Sequence, residues 1–370
     1  MTLQEAFNPQ KNSMDFLRFV LAFAVIIVHG YWLGGFGPDP LYYFSHGQID
    51  PGPLAVSGFF ILSGFLITRS RQRRGSIWVY LWQRVRRIMP GYWVTLLVTV
   101  ILFAPIIYLL TNHTLTGYWE QSPFGPFDYL KNNFFLKVGQ DRIGELFSTH
   151  PTHPYLINGS LWTLYAEFKC YVLVGVLGLV NATRDRRWIA LLLTAVVMGT
   201  YIIEQLTGGY LRSVFPYMLE QGFHENLAYF LIGSVAYLYA DRIPMRRSLF
   251  VVSLALMILS AYVAYYRVVA LFTYPYMLLW LAFHLPITKW AKYGDFSYGM
   301  YLYAFPIQRI LAQLGVNKLG VWGYILVAAG VTAVFAVLSY HLVESRFLKR
   351  RSPAASPAQL VPAAVETAVK

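Results

Sequence analysis

Long apolar runs separated by short polar stretches dominate the chain, and their lengths predict helices that cross a membrane. Most of the runs are close to the roughly 20 residues that a helix needs to span a bilayer. The predicted helices lie at about 14–34, 53–68, 88–110, 159–181, 188–206, 225–241, 248–265, 268–285, 296–314 and 320–343. The second run is short, and its Gly58 and Gly64 predict a tilted or broken span.

Composition places the chain among integral membrane proteins. Hydrophobic residues make up 57% of the 370 residues and charged residues only 13%, whereas about a quarter of a soluble domain is charged. The predicted fold is all-α, with about ten transmembrane helices in one membrane domain over 14–350. A cytoplasmic segment, 1–13, precedes this domain, and an Ala- and Pro-rich tail, 351–370, is predicted to be disordered. No cleavable signal peptide is evident, so the first run is expected to remain as the first span.

The distribution of Lys and Arg predicts the orientation in the membrane. Most of the 30 Lys and Arg residues lie at helix ends on the same side as the N-terminus, as the positive-inside rule requires when both termini are cytoplasmic. The opposite side receives Lys131, Lys137, Arg142, Arg212, Arg267 and Lys318. Topology and contact with anionic lipid headgroups account for the net charge of +13, so nucleic acid is not an expected partner.

Arg18 and His29 form the most informative pair of polar residues in the apolar runs. They are eleven residues apart, which at about 100° per residue is three turns plus roughly 20°. Both therefore lie on one face of one helix, about 16 Å apart along its axis. Placing a guanidinium and an imidazole among Phe, Val, Leu and Ile in a membrane costs free energy unless both groups face a protein interior or a water-filled cavity.

Six short motifs follow one another along the chain. They are LRFVLAFAVIIVH, SGFFILSGFLIT, WQRVRRIMPGYW, NGSLWTLYAEFKCY, YGDFSYGMYLYAFPIQ and LVESRF. In this order they resemble the membrane acyltransferase-3 family, bacterial inner-membrane enzymes that O-acylate, most often O-acetylate, surface polysaccharides and other glycosides. The resemblance covers roughly residues 14–350, which is nearly the whole chain.

The resemblance implies a ten-helix acyltransferase core with acyl-CoA as the cytoplasmic donor. It also implies functional roles for the family's Arg-and-His motif at Arg18 and His29, and for its paired-arginine motif at Arg84 and Arg87. One position departs from the family: many relatives read Tyr-Leu-x-His-x-Pro, and this chain has Ala304 in place of that histidine. Any role of the second histidine is therefore absent or supplied elsewhere.

The chemistry of His29 and Arg18 allows two interpretations of each residue. Imidazole is the usual general base for a hydroxyl nucleophile because its pKa lies near the operating pH; the alternative is a histidine hydrogen-bonded across a helix interface. Arg18 lies near the predicted cytoplasmic boundary. It can snorkel there, pair with Asp15, or hold an anionic donor.

Three arginines are candidate ligands for the CoA phosphates. Arg84 and Arg87 are three residues apart at the predicted start of the third helix, so they share a face. Together with Arg69 they can bind phosphate oxygens, for which a guanidinium fork is better suited than an ammonium. The alternative for all three is charge that only sets topology. For Arg71, Arg73 and Arg74 the topological explanation is preferred.

Four further residues are candidates for the acceptor side. Ser63 lies in a stretch of small residues that permits close helix packing, and it is also a candidate for a hydrogen bond to substrate. Glu167 can orient the imidazole or bind acceptor hydroxyls; alternatively it pairs with an arginine or with Lys169. Trp162 and Tyr165 are aromatic residues suited to a sugar face, although interfacial anchoring explains many aromatics in such a chain.

We therefore expect a multi-pass O-acyltransferase of the bacterial inner membrane. Its partners would be acetyl-CoA or another acyl-CoA, a polysaccharide, exopolysaccharide or lipid-linked glycan acceptor, and membrane lipids. A relay of the acyl group across the membrane and direct transfer to the acceptor both remain open. The alternative functions are a flippase for a lipid-linked sugar and a non-catalytic partner in glycan assembly.

Cys170 is the only cysteine, so disulfides and thiolate metal sites within the chain are excluded, and no metal is expected.

Overall fold

A computed structural model describes residues 1–148, 154–215 and 221–348, and this part of the chain contains helices but no β-strand. Ten long helices coincide with the ten predicted runs. We number them in chain order: α1 Met14–Leu33, α2 Pro51–Gln72, α3 Ile77–Asn112, α4 Trp162–Leu179, α5 Arg187–Leu206, α6 Gln221–Leu238, α7 Arg247–Tyr262, α8 Tyr266–His284, α9 Ser297–Gln313 and α10 Gly320–Ser339. The predicted tail, 351–370, lies outside the described residues.

Seven helices in the described part are long and apolar enough to cross a membrane. They are α1 to α5, α8 and α10, the last together with its flanking turns. The protein is therefore an all-helical, multi-pass membrane protein. The remaining three helices, α6, α7 and α9, are shorter or less apolar, so the count of ten spans and the cytoplasmic position of both termini stay predictions.

Helix α2 is longer and more regular than its sequence predicts. It runs without a break for 22 residues, and the side chain of Asp50 caps its first turn by accepting a hydrogen bond from the Gly52 amide. Gly58 and Gly64 do not interrupt it. Gly64 instead lets α2 lie directly against α6, because a Cβ at this position would come within 2.0 Å of the Phe230 carbonyl oxygen.

Helix α3 begins eleven residues before its predicted start. Ser76 caps it, accepting a hydrogen bond from the Val79 amide, and a π-helical turn at Thr99–Phe103 joins its two α-helical parts. The paired arginines therefore lie within a helix, two to three turns from its start. A second π-helical turn, Tyr340–Glu344, follows α10 and leads into the short helix Ser345–Leu348.

Helix α1 lies inside the bundle, packed against α2, α9 and α10. Ala22 and Ile26 meet Met300 and Ala304 of α9 in a buried cluster. Gln308, fully buried on α9, donates a hydrogen bond of 2.7 Å to the carbonyl oxygen of Ile26. These contacts fix the rotation of α1 and leave its Arg18 and His29 face turned toward the other helices.

The segment before α1 is ordered and tied to the connection between α6 and α7. Its short helix, Leu3–Ala6, is capped by Thr2, and Thr2 forms a bridge with Pro244. In the long connection between α3 and α4, the described residues contain one helix, Pro126–Asn132. Asn133 organises this connection by accepting hydrogen bonds from the Gly139 and Gln140 amides.

Candidate active site

Three adjoining cavities follow the face of α1 that carries Arg18 and His29. The histidine cavity, of about 380 Å³, is lined by His29, and the arginine cavity, of about 930 Å³, is lined by Arg18. A middle cavity of about 50 Å³ lies between them. It shares Arg18 with the arginine cavity, and Thr163 and Tyr301 with the histidine cavity.

His29 is half-buried in the wall of the histidine cavity. The edge of its ring meets Phe305 of α9, with 5.0 Å between the ring centroids. Two carboxylates line the same cavity, Asp50 at the start of α2 and Glu225 of α6, together with Arg267 at the start of α8. Burial raises the pKa of the Asp50 carboxyl, although its hydrogen bond from the Gly52 amide works in the opposite direction.

The middle cavity holds Glu167. The carboxylate of Glu167 accepts hydrogen bonds from the hydroxyls of Ser63, at 2.8 Å, and Tyr171. Lys169, its predicted alternative partner, instead lies over the ring of Phe223 at 3.5 Å. Glu167 therefore shares a cavity with Arg18 rather than with His29.

A hydrogen bond separates the middle cavity from the histidine cavity. The hydroxyls of Thr163 on α4 and Tyr301 on α9 are 2.6 Å apart, and both side chains are buried. Since both residues line both cavities, movement of the Tyr301 side chain would open one cavity into the other.

Asp295, just before α9, joins two of the arginines. Its Oδ2 atom lies 2.8 Å from Nη1 of Arg18 and 2.7 Å from Nη2 of Arg87, and its Oδ1 atom accepts hydrogen bonds from Ser297. Burial by itself would raise the pKa of this carboxyl. The two guanidinium groups and the Ser297 hydrogen bonds outweigh burial and hold the pKa well below its usual range.

The arginine cavity is strongly basic. Besides Arg18 and Arg87 it is lined by Arg74, Arg84 and Arg86. The buried Nε atom of Arg84 has no hydrogen-bond partner in the described part of the chain, and its guanidinium lies 6.0 Å from the ring centre of Tyr80. Arg74, for which the sequence favours only a topological role, thus belongs to the same basic surface as the paired arginines.

Two predicted site residues, Arg69 and Tyr165, have other surroundings. Arg69 lies over the ring of Phe7 at 5.0 Å and does not line the arginine cavity. Tyr165 is exposed on α4, where Lys169 lies 5.0 Å from its ring centre, whereas Trp162 does line the histidine cavity. Ala304, at the position of the family's second histidine, is buried in the aliphatic cluster between α1 and α9.

Sequence reasoning identified Glu167 but missed three other acidic residues of the site, Asp295, Asp50 and Glu225. Asp295 lies in the motif YGDFSYG, where an acidic residue at the start of a helix, on the predicted arginine side, was an available signal. Asp50 precedes a proline at the start of α2, which is typical of a helix cap and gives no hint of a cavity. Glu225 is the first residue of the predicted helix 225–241 and belongs to none of the six motifs, so only packing brings it to the cavity of His29.

Comparison with known families identifies the family of the chain. A family model described as an acyltransferase domain matches residues 11–341, nearly the whole chain. The chain belongs to the membrane acyltransferase-3 family. Within this acyltransferase, the family's Arg-and-His motif spans the three cavities, and its paired-arginine motif lines the arginine cavity.

Two curated relatives of this acyltransferase are similar over their full lengths. An "O-acetyl transferase" of Shigella phage Sf6 is 29% identical over 356 residues, covering 93% of this chain and 98% of the relative. "Nodulation protein 10" of Rhizobium leguminosarum bv. viciae is 26% identical, with 92% of this chain and 94% of the relative covered. No solved structure matches the chain.

Proposed function

We propose that this acyltransferase moves an acetyl group from cytoplasmic acetyl-CoA to a hydroxyl of a bacterial polysaccharide, exopolysaccharide or lipid-linked glycan. The enzyme would act in the inner membrane. The observation that carries the proposal is the line of cavities, which joins a basic chamber at Arg18 to a chamber that contains His29. The name of the phage relative, "O-acetyl transferase", supports acetyl as the group transferred.

The arginine cavity is the proposed donor site. CoA is a multiply charged phosphate ester, and guanidinium forks bind phosphate oxygens in a bidentate manner. Arg84, whose Nε atom is unpartnered, and Arg86 and Arg74 would hold the phosphates. Asp295 neutralises part of the charge on Arg18 and Arg87 and fixes both side chains, so that they would guide the thioester end of the donor toward the middle cavity.

The middle cavity is the proposed path of the acyl thioester. Glu167 lines it and accepts a hydrogen bond from Ser63, which lines the adjoining arginine cavity, and the Thr163–Tyr301 hydrogen bond would open as the thioester passes. The helical distance from Arg18 to His29, about 16 Å, is what the long arm of the donor would have to cover. This arrangement favours direct transfer at His29 over a separate relay through a second nucleophile.

His29 is the proposed general base. It would take the proton of the acceptor hydroxyl while the hydroxyl oxygen attacks the carbonyl carbon of the thioester. Collapse of the tetrahedral adduct then breaks the carbon–sulfur bond, and His29 returns the proton to the departing thiolate. The products are the O-acetylated glycan and free CoA.

Mass spectrometry of the host's surface glycans tests the proposal. Cells that lack the protein should lose one acetyl group from the glycan repeat while still exporting the glycan. Complementation with His29→Ala should not restore the acetyl group, because a positioned general base contributes roughly 10²- to 10⁴-fold to the rate. The matched control is His284→Ala, since His284 is exposed at the end of α8 and stacks on Trp280. Loss of the glycan itself, or acetylation by His29→Ala at equal expression, would contradict the proposal.

A further inference from the structure

The histidine cavity contains hydroxyl groups that the protein leaves without partners. Ser160 and Tyr266 both line this cavity, and both residues are more than nine-tenths buried. The Oγ atom of Ser160 and the phenolic oxygen of Tyr266 have no hydrogen-bond partner in the described part of the chain. A buried hydroxyl without a partner costs free energy. Two of them in one cavity therefore indicate a binding site in which a polar ligand supplies the missing hydrogen bonds.

The charged groups around these hydroxyls constrain that ligand. Asp50 and Glu225 supply two carboxylates, and Arg267 supplies one guanidinium. One guanidinium thus faces two carboxyl groups, and no other Lys or Arg of the described residues lines the cavity. The carboxylate or phosphate of an acidic sugar would have to share this single guanidinium with Asp50 and Glu225. An uncharged polyol instead donates its hydroxyl protons to carboxylates, which accept several hydrogen bonds each.

The shape and the aromatic lining of the cavity fit a ring. Its volume of about 380 Å³ lies within the range of small-molecule sites. Trp162 contributes an indole ring that is 43% exposed, and an aromatic face packs against the CH face of a sugar. Such a ring would be held within reach of His29, which lines the same cavity.

We infer that the histidine cavity binds one uncharged sugar unit of the acceptor, through Ser160, Tyr266, Asp50 and Glu225. This inference rests on the proposed function and names the class of acceptor sugar. The acetylated residue is thus a neutral hexose, a deoxyhexose or an N-acetylhexosamine. It is not a uronic acid, another sugar acid or a phosphorylated sugar.

The first test identifies the sugar that carries the acetyl group. Glycans from cells with and without the protein are compared by mass spectrometry and NMR, and the acetyl group that disappears should lie on an uncharged residue. Loss of an acetyl group from a charged residue would overturn the inference and leave the O-acetyltransferase proposal standing. No loss from any residue would overturn both.

The second test removes the unpartnered hydroxyls. The probe is the unacetylated glycan isolated from cells lacking the protein, with acetyl-CoA as donor. Tyr266→Phe and Ser160→Ala should each lower kcat/KM for the glycan about five- to tenfold, the equivalent of one hydrogen bond, mainly by raising KM. Neither change should lower the Tm, since no protein hydrogen bond is lost.

Thr332→Val is the matched control for these variants. The Thr332 hydroxyl is likewise buried without a partner, but Thr332 lies on α10 and lines none of the three cavities. This variant should leave kcat/KM unchanged. An unchanged kcat/KM in the double variant Ser160→Ala with Tyr266→Phe, or an equal loss in Thr332→Val, would overturn the inference.

Discussion

At the scale of single residues, charged side chains inside the membrane domain are paired with one another, and this pairing offsets the free-energy cost of burying them. Arg18 and Arg87 come from different helices, and both contact the same oxygen of Asp295. Glu344 lies a further 3.9 Å from Arg87 and accepts a hydrogen bond from Ser339. Among the described residues no carboxylate forms an ion pair with Arg84 and its Nε atom has no hydrogen-bond partner, so its charge is available to a ligand.

The paired arginines give a prediction about donor binding. Arg84→Lys keeps the positive charge but loses the fork that would hold a phosphate, and Arg87→Lys loses the fork that lies against Asp295 and would guide the donor, so each change should weaken binding of CoA by roughly tenfold. Calorimetric titration of the purified protein with CoA measures this effect. Arg73→Lys is the control, because Arg73 is exposed and does not line the arginine cavity. An unchanged affinity for CoA in both test variants would show that these arginines only set the membrane topology.

Asp295 predicts a dependence of stability on pH. Its pKa is lower in the folded protein than in the unfolded chain, so the carboxylate contributes stability above the ordinary pKa of about 4, and this contribution is lost as the pH falls below it. Asp295→Asn should cost about 2 kcal/mol at pH 7, since it leaves two guanidinium groups without their counter-charge. Thermal unfolding in detergent should show this difference shrinking below about pH 4. A difference that stays constant with pH would contradict the ion-pair account.

Only part of the site could be predicted from the sequence. The spacing of Arg18 and His29 predicts a shared helix face, and both residues do line interior cavities. The spacing cannot reveal which carboxylates accompany them. Glu167 shares the helix depth expected of a partner for His29, yet the structure places it beside Ser63, because the rotation of α4 depends on packing against α2 and α3.

At the scale of helices, α2 and α6 make the closest approach in the bundle. Gly64 and Gly233 face the opposite backbone reciprocally, with the Gly233 Cβ position 2.1 Å from the Ile61 carbonyl oxygen. Small residues permit this contact where larger ones would separate the helices. Since α2 carries Ser63 and α6 carries Glu225, the contact also sets the width of the cavities.

Gly64→Ala should therefore destabilise the protein. The added methyl group would come within 2.0 Å of the Phe230 carbonyl oxygen, and backbone cannot move aside as a flexible side chain can. We expect a cost of about 3 kcal/mol and a lower Tm. Gly199→Ala on α5 is the control, because nothing lies within 4 Å of its Cβ position, and its higher helix propensity should leave the Tm equal or raised. An equal Tm in both variants would show that α2 and α6 are not in this close contact.

The positions of the helices were predictable because apolar composition marks the part of each helix that lies in lipid. The same criterion fails at the start of α3. The stretch 77–87 is a helix that mixes polar, aromatic and apolar residues, and hydropathy does not separate it from a connecting loop. Gly58 and Gly64 led to the opposite error, because they allow close packing and do not break the helix: Gly64 lies against α6, and Gly58 lies against Leu21 of α1 and Tyr274 of α8.

At the scale of the whole molecule, the bundle holds a basic chamber and a histidine chamber at different depths, with the small middle cavity between them. The Thr163–Tyr301 hydrogen bond lies between the middle cavity and the histidine cavity. Such a layout lets a charged donor and a glycan acceptor approach from different sides. We therefore expect the acetyl group to cross from the donor chamber to the acceptor chamber inside the protein.

Sided transfer in proteoliposomes tests this claim most directly. Radiolabelled acetyl-CoA is sealed inside the vesicles and unacetylated glycan is supplied outside. A tag at the C-terminus, which follows the cavity-lining residues Phe347 and Leu348, reports by protease protection which molecules have the arginine cavity inward. We predict label on the external glycan in proportion to that inward fraction, and none with His29→Ala. Transfer only when donor and acceptor share one compartment would contradict the account.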